Sequence, residues 1–502
     1  MKKFYKLIIA AATIAGVMAT TGCNSGNGKL KITFWHTMGQ ENQDMLNRVI
    51  EKFNLTHPDV EVQHDSQGSY STLKDKLNEA IPAGTNPTMA FCYPDHVAGY
   101  MVAGAVQNLD DYINGEATQF TKEDGSHVED GVIKYGKDDY IEAFWGEGTQ
   151  YSDRSGKKVT GTYSVPFAKS TEVIFYNKAA FESHNWTVPT TWEEMDAFMR
   201  RDDVKEWIDA KPETLEKRAV LGYDSDDNLF ITMCEQYGLP YTANAEKKAD
   251  RFLFNTPEAK AMVQGINDWY QNGYLLTQAT NGNSNTSSLL TSEALLMSIG
   301  STGGTRYNWS APTATFEVSI APIPGATQDA TEDVFFSKYL EGGRKGAVTN
   351  NNHVISQGPG ICIFARATDE QKAAAWDFYK ILSNSFNNAT YSINTGYQPV
   401  RISSYDDPDF VDYIKLPKAG ESDADIQYQA EGKYKILTQT GLYRYSLVIS
   451  SELTARHFTS PAFVGSSQAR EEVGGIIANY LLGTKTLDGA FSSAIDACLL
   501  AA

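Results

Sequence analysis

Leu30, Ile32 and Phe34 alternate with Lys29, Lys31 and Thr33, which is the period of a strand with one buried face. Met45, Leu46, Val49, Ile50 and Phe53 then recur at helical spacing, and Val60 and Val62, after Pro58, open a second strand. Strand, helix and strand within about thirty residues imply a crossover connection, so the two strands run parallel and the chain is committed to an α/β sheet. The alternation returns further on. Val173 to Tyr176 reads as a strand. Thr191 with Glu194 forms a capping box that opens a helix through Met195 and Phe198. Ala294 to Ile299 reads as a buried strand ending at Gly300, Gly360 to Phe364 as another strand, and Ala373 to Leu382 as a helix. A chain of 502 residues exceeds what one core can use, so two domains are expected.

Charge narrows the function classes. Acidic residues outnumber basic ones 62 to 43, a formal net charge of -19, and Lys and Arg do not cluster beyond the first six residues. Such a surface repels phosphate backbones, which argues against nucleic acid. Enzyme signatures are missing too: no HExxH, no GxSxG and no Walker lysine in the turn Gly300-Ser301-Thr302-Gly303-Gly304. Asp224, Asp226, Asn228 and Glu235 imitate a calcium loop, yet Leu229 stands where that loop requires glycine. The eight histidines never pair at ligand spacing. No catalytic centre, cofactor or metal is expected, with an exported glycan-processing enzyme as the alternative from another class. Cys92, Cys234, Cys362 and Cys498 lie far apart in apolar surroundings and read as core hydrophobes, with one long-range disulfide left open.

The N-terminus carries an address. Lys2, Lys3 and Lys6 precede an apolar stretch from Leu7 to Ala19, then Thr20-Thr21-Gly22 and Cys23. A stretch this short with basic flanks reads as an export signal over residues 1–22. The Cys after Gly22 resembles a bacterial lipobox, which implies a lipidated Cys23 as the mature N-terminus and a tether over 23–28. The expected location is outside the cell membrane, held by that anchor and facing periplasm or exterior. No later segment carries eighteen consecutive apolar residues, so the body is expected to be soluble.

Several blocks, in order, carry a resemblance: Ile32-Thr33-Phe34-Trp35-His36-Thr37-Met38, Gly68-Ser69-Tyr70, Gly84-Thr85-Asn86-Pro87, the run Val165 to Lys178, Thr191-Trp192, Gly238-Leu239-Pro240, Met297 to Ser301, and Thr395-Gly396-Tyr397-Gln398-Pro399. The chain resembles the bacterial extracellular solute-binding proteins of ABC importers, and among them the glycerol-3-phosphate-binding branch. That resemblance implies a two-lobed periplasmic-binding-protein fold with a hinge and three crossings, near Phe167, Val354 and Gln398. The lobes would be 28–167 with 355–398, and 168–354 with 399–502. It implies ligand contacts at Tyr70, Ser170, Ser301, Gly358 and Tyr397. The family's ligand carboxylate aligns with Pro94 and its phosphate-pairing arginine with Ser446, so Asp95 and Arg444, their neighbours, are expected to take over. The implied partners are a small-molecule sugar or polyol phosphate and the permease subunits of an importer, with the receptor a monomer.

The chemistry of these residues is consistent on its own terms. Tyrosine and serine hydroxyls both donate and accept, as polyol oxygens require, and an aromatic face packs on the C–H face of a sugar. Arginine is the natural phosphate partner, and its displacement here leaves two ligand classes open: a phosphorylated polyol and a neutral oligosaccharide.

Overall fold

The structure, a computed structural model, describes residues 28–113, 119–121, 127–129, 137–309, 316–346, 351–430 and 432–502. The export segment and Cys23 lie outside the described residues. β1 (Leu30–His36) buries Ile32, Phe34 and His36 on one face, as its alternation requires. α1 (Gln40–Thr56) turns Met45, Leu46, Val49, Ile50 and Phe53 onto that face. β2 (Val60–Ser66) runs parallel to β1, with Val60 opposite Leu30. α2 (Tyr70–Ala83) starts at Ser69, whose hydroxyl accepts from the Thr72 N–H, and stops at Gly84, where φ of 69° suits glycine. β3 (Met89–Cys92), α3 (Pro94–Val102) with proline in its first turn, and β4 (Val165–Pro166) complete the first pass.

The chain then builds a second sheet from β5 (Glu172–Asn177), β6 (Ala219–Tyr223), β7 (Leu275–Thr277), β8 (Leu295–Ser301) and β9 (Val318–Pro322), in the order β7-β6-β8-β5-β9. β6 lies parallel to β7 and β8, while β5 runs antiparallel between β8 and β9. Every residue of β6 is buried, which is why it reads as an unbroken apolar run. Helices α4 (Trp192–Met199) and α5 (Asp226–Tyr237) belong to this lobe. The Thr191 hydroxyl caps α4 as expected, but the Glu194 carboxylate reaches back to the Thr190 N–H at 2.7 Å. The calcium-like spacing is taken up by α5, which starts at Asp226, and Glu235 faces His353 at 2.8 Å instead. Among the described residues no cluster of His, Cys, Asp and Glu is fit to hold a metal ion.

β10 (Gly360–Ile363) returns to the first lobe and inserts antiparallel between β3 and β4, giving the order β2-β1-β3-β10-β4. α6 (Asp369–Leu382), opened by a reciprocal capping box of Thr368 and Gln371, and α7 (Ser385–Thr395) pack beside α1. α8 (Gln439–Glu452) packs on β9 and α9 (Ser466–Leu481) on α5; α9 also reaches α3 across the gap between lobes.

Each sheet carries its own large hydrophobic core, which is the two-lobed α/β architecture expected. Val400 and Ala462 pack into the first core, so the chain beyond Gln398 is shared between lobes and does not pass wholly to the second. The crossing segments lie side by side: Ser170 and Gln357 exchange backbone hydrogen bonds of 3.0 and 2.8 Å, and Lys169 and Gln398 exchange bonds of 3.0 and 2.6 Å. Three chain passages between the lobes lie side by side, tied by short ladders, an arrangement suited to a hinge. Cys92, Cys234, Cys362 and Cys498 are buried and unbridged. Among the described residues no helix is long and apolar enough to cross a membrane.

Candidate functional site

The carboxyl ends of β6 and β8 meet the start of β5 at one edge of the second sheet, where Ser301 stands opposite Glu172. In open α/β sheets that edge faces the ligand crevice. Here it faces a cavity of about 720 Å³ between the lobes, a size suited to small molecules.

The first-lobe wall is aromatic. Tyr70 is the first residue of α2 and Tyr93 the cap residue of α3; their rings lie 4.6 Å apart, tilted by 37°. Burial raises the phenol pKa values of Tyr70, Tyr93 and Tyr397, so all three stay neutral and can donate or accept. Tyr397 follows the end of α7 and lays its ring on Gly303, where any Cβ would come within 2.5 Å of the ring. Ser301 donates to the Ser170 Oγ at 3.0 Å and accepts from the Gly303 N–H at 3.1 Å, so the Gly-rich turn fixes its rotamer. Tyr70, Asp95, Ser170, Ser301 and Tyr397 all line the cavity.

Arg444 stands elsewhere, and Gly358 meets the cavity wall only through its backbone N–H, which reaches the Tyr93 hydroxyl. Gly358 has φ of 94°, and a Cβ there would sit 2.3 Å from the Ala168 carbonyl oxygen. Its glycine identity serves the close passage of two hinge segments, and Ile355, Ser356 and Gln357 line the cavity in its place. Arg444 is buried on α8 away from the cavity. It donates to the carbonyls of Tyr413 at 2.7 Å and Lys415 at 2.6 Å, and pairs with Asp423 at 2.8 Å. Its guanidinium is consumed by structure. Ser446 is likewise spent, on the Thr305 hydroxyl at 2.9 Å.

The guanidinium that does face the cavity belongs to Arg470 of α9. It donates to Asp227 at 3.0 Å and to Asn228 Oδ1 at 2.6 Å, and its Nε lies 3.5 Å from Asp95 Oδ2. Asp95 is on α3, so this pair joins the two lobes across the rim. Lys74 of α2 adds a second bridge to Glu471 of α9. A sequence signal for Arg470 existed: Ser466 and Gly474, four residues to either side, and Ala478, eight residues on, share its helix face and are small enough to leave the long side chain room.

Behind the rim lies a carboxylate-rich wall. Glu172 accepts from the Tyr223 hydroxyl at 2.6 Å and Asn228 Nδ2 at 2.9 Å; burial, reinforced by Asp227 and opposed by these donors and Arg470, pushes it up to about 7. Asp224 accepts from the Thr286 backbone N–H and from its hydroxyl at 2.8 Å, and Asp226 from the Ala279 N–H at 3.0 Å. At the hinge, Glu147 pairs with Lys169 in a buried contact and accepts from the Ser356 hydroxyl at 2.7 Å. Seven carboxylates line the cavity (Asp95, Glu147, Glu172, Asp224, Asp226, Asp227 and Glu471) against the three cations Lys74, Lys169 and Arg470. Each of those cations already holds a carboxylate.

Known proteins share this frame. The family model described as bacterial extracellular solute-binding protein matches residues 48–418. The sn-glycerol-3-phosphate-binding periplasmic protein UgpB of Pectobacterium atrosepticum is 26% identical over 199 residues, which is 39% of this chain and 39% of that protein, so the alignment spans well under half of that relative. The maltotriose-binding protein of Pyrococcus abyssi is 23% identical over 389 residues, 77% of this chain and 69% of that protein. The solved structure of UgpB from Mycobacterium tuberculosis in complex with glycerophosphocholine superposes with a TM-score of 0.64 at 18% identity, covering 94% of this chain and 98% of that one. That superposition gives the two-lobed periplasmic-binding-protein fold. With the family model spanning most of the chain, this protein belongs to the bacterial extracellular solute-binding protein family.

Proposed function

We propose that this chain is the receptor of an ABC importer, which captures a sugar-like polyhydroxylated solute between its lobes and delivers it to the permease. The observation that carries the reading is the interlobe cavity, with tyrosines on one wall and oriented carboxylates on the other. Tyr70, Tyr93 and Tyr397 offer flat faces and neutral hydroxyls; Ser170, Ser301 and Asp95 offer acceptors and donors for solute oxygens. The solute binds the closed form better than the open one, and this differential affinity closes the hinge. Nothing in this reading requires chemistry on the solute; it is released unaltered.

The charge of the cavity favours an uncharged or basic solute over a phosphorylated one. A phosphate would approach seven carboxylates and would have to displace Asp227 and Asp95 from Arg470 to gain its own partner. Arg470 is also the observation that supports the second reading, a glycerophosphate-like solute held by that guanidinium. Membrane attachment through Cys23 and monomeric action complete the proposal, with lobes moving as bodies near 28–167 with 355–398 and 168–354 with 399–502, apart from the stretches at Val400 and Ala462 that pack with the first lobe.

Small-angle scattering against a panel of oligosaccharides tests the mechanism: a cognate sugar is expected to compact the particle, and an unchanged profile at calorimetric saturation contradicts it. Cys23→Ala is expected to abolish lipid labelling; persistent labelling contradicts the anchor.

A further inference from the structure

Glu172, Asp224 and Asp226 stand together along the cavity's second-lobe wall, at the start of β5, the end of β6 and the start of α5. Among the described residues no Lys, Arg or His hydrogen-bonds or ion-pairs with any of the three, whereas Asp95, Glu147, Asp227 and Glu471 each hold a cation. The donors they do have are neutral: Tyr223 and Asn228 on Glu172, Thr286 on Asp224, the Ala279 N–H on Asp226.

Asp226 is the clearest case. It is 9% exposed, and its Oδ1 is buried without a hydrogen bond among the described residues. Burial raises its pKa, with the Thr277 hydroxyl beside it pulling the other way. Asp224 leans its Oδ2 over Gly300, 2.9 Å from where a Cβ would stand, so the glycine keeps this carboxylate at the sheet edge that faces the cavity. A buried carboxylate oxygen without a donor, as on Asp226, is costly unless something binds it. The opposite wall offers the ring faces of Tyr70 and Tyr93, 4.6 Å apart, to the C–H face of a sugar.

We propose that this wall is an ammonium-binding subsite, and that the solute is an amino sugar, a polyhydroxylated ring that presents a basic amine to Asp226, Asp224 and Glu172. The inference rests on the receptor reading above and deepens it. A protonated amine supplies three donors and the missing positive charge at once; a neutral sugar hydroxyl supplies a single donor and no charge.

Titration calorimetry with matched sugars tests it: glucosamine and galactosamine and their oligomers, against the N-acetylated and the plain hydroxyl forms, at a pH where the amines are protonated. The amine-bearing member of at least one pair is expected to bind about tenfold tighter than both neutral counterparts, with the margin shrinking as salt is raised. Asp226→Asn is expected to erase the preference for the amine over its neutral counterparts, and Glu172→Gln to weaken it; thermal unfolding confirms that both variants are folded. Neutral sugars binding as tightly as, or more tightly than, every amine overturns this inference alone. Failure of all sugars, charged and neutral, overturns the sugar-receptor reading with it.

Discussion

On the first-lobe side the cavity meets Tyr70 and Tyr93, side chains set at the first residue of α2 and the cap of α3. On the second-lobe side it meets Glu172, Asp224 and Asp226, set at strand ends and a helix start and held by fixed neutral donors. One wall supplies shape and neutral hydroxyls; the other supplies charge whose orientation is fixed before any solute arrives. A solute that satisfies both walls would carry a C–H face and several donors. Arg470, on the second lobe but paired with Asp95 of the first, is where the two chemistries are tied.

The largest expected effect comes from removing the frame common to both walls. Lys169→Met leaves Glu147 buried at the hinge without its partner and is expected to cost about 3–5 kcal/mol in denaturant unfolding. Adding Glu147→Gln to it should recover most of that loss, and a double variant as unstable as the single one contradicts the pairing. Next comes the carboxylate wall. With Glu172 pushed from 4.5 to about 7 by burial, the unfolded chain loses its proton across this window while the folded chain keeps it. Stability therefore falls as pH rises from 4.5 to 7, by up to about 3 kcal/mol. Thermal unfolding across pH should show Glu172→Gln flattening that slope; a slope left unchanged refutes the assignment.

The aromatic wall gives a smaller and different effect. Tyr70→Ala should weaken solute binding by about 1 kcal/mol, equally for neutral and amine-bearing sugars, because a ring face contributes packing whatever the solute charge. Calorimetry that finds a charge-selective loss instead would erase the distinction between the walls. Smallest in binding is Arg444→Met. It removes three structural donations and lowers the melting temperature, while solute affinity stays within about twofold. A large affinity loss in a folded variant would restore Arg444 to the site.

Local pattern made much of the fold legible. The alternation at Leu30 to Phe34, the helical face from Met45 to Phe53 and the buried run into Gly300 became β1, α1 and β8, because each buries its apolar face against a neighbour that the βαβ rule supplies. Tyr70, Ser170, Ser301 and Tyr397 come together at the cavity from widely separated segments. Arg444 and Gly358 are not among its lining residues, each for a physical reason of its own. Whether an arginine faces a ligand or two backbone carbonyls depends on the helix's rotation against its neighbours, and Tyr413 and Lys415 are neighbours only in three dimensions. A glycine required by a hinge crossing looks, in sequence, like one required by a ligand. Arg470 was signalled only by the small residues around it on α9, a pattern that packing helices also produce.

The central claim is that the cavity selects against phosphate and for a sugar-like solute, and titration calorimetry of glycerol 3-phosphate beside the sugar panel, in the natural chain and in Arg470→Gln, tests it most directly. The account predicts saturable binding of a sugar and no measurable binding of glycerol 3-phosphate. Tight binding of glycerol 3-phosphate that disappears in Arg470→Gln would contradict it.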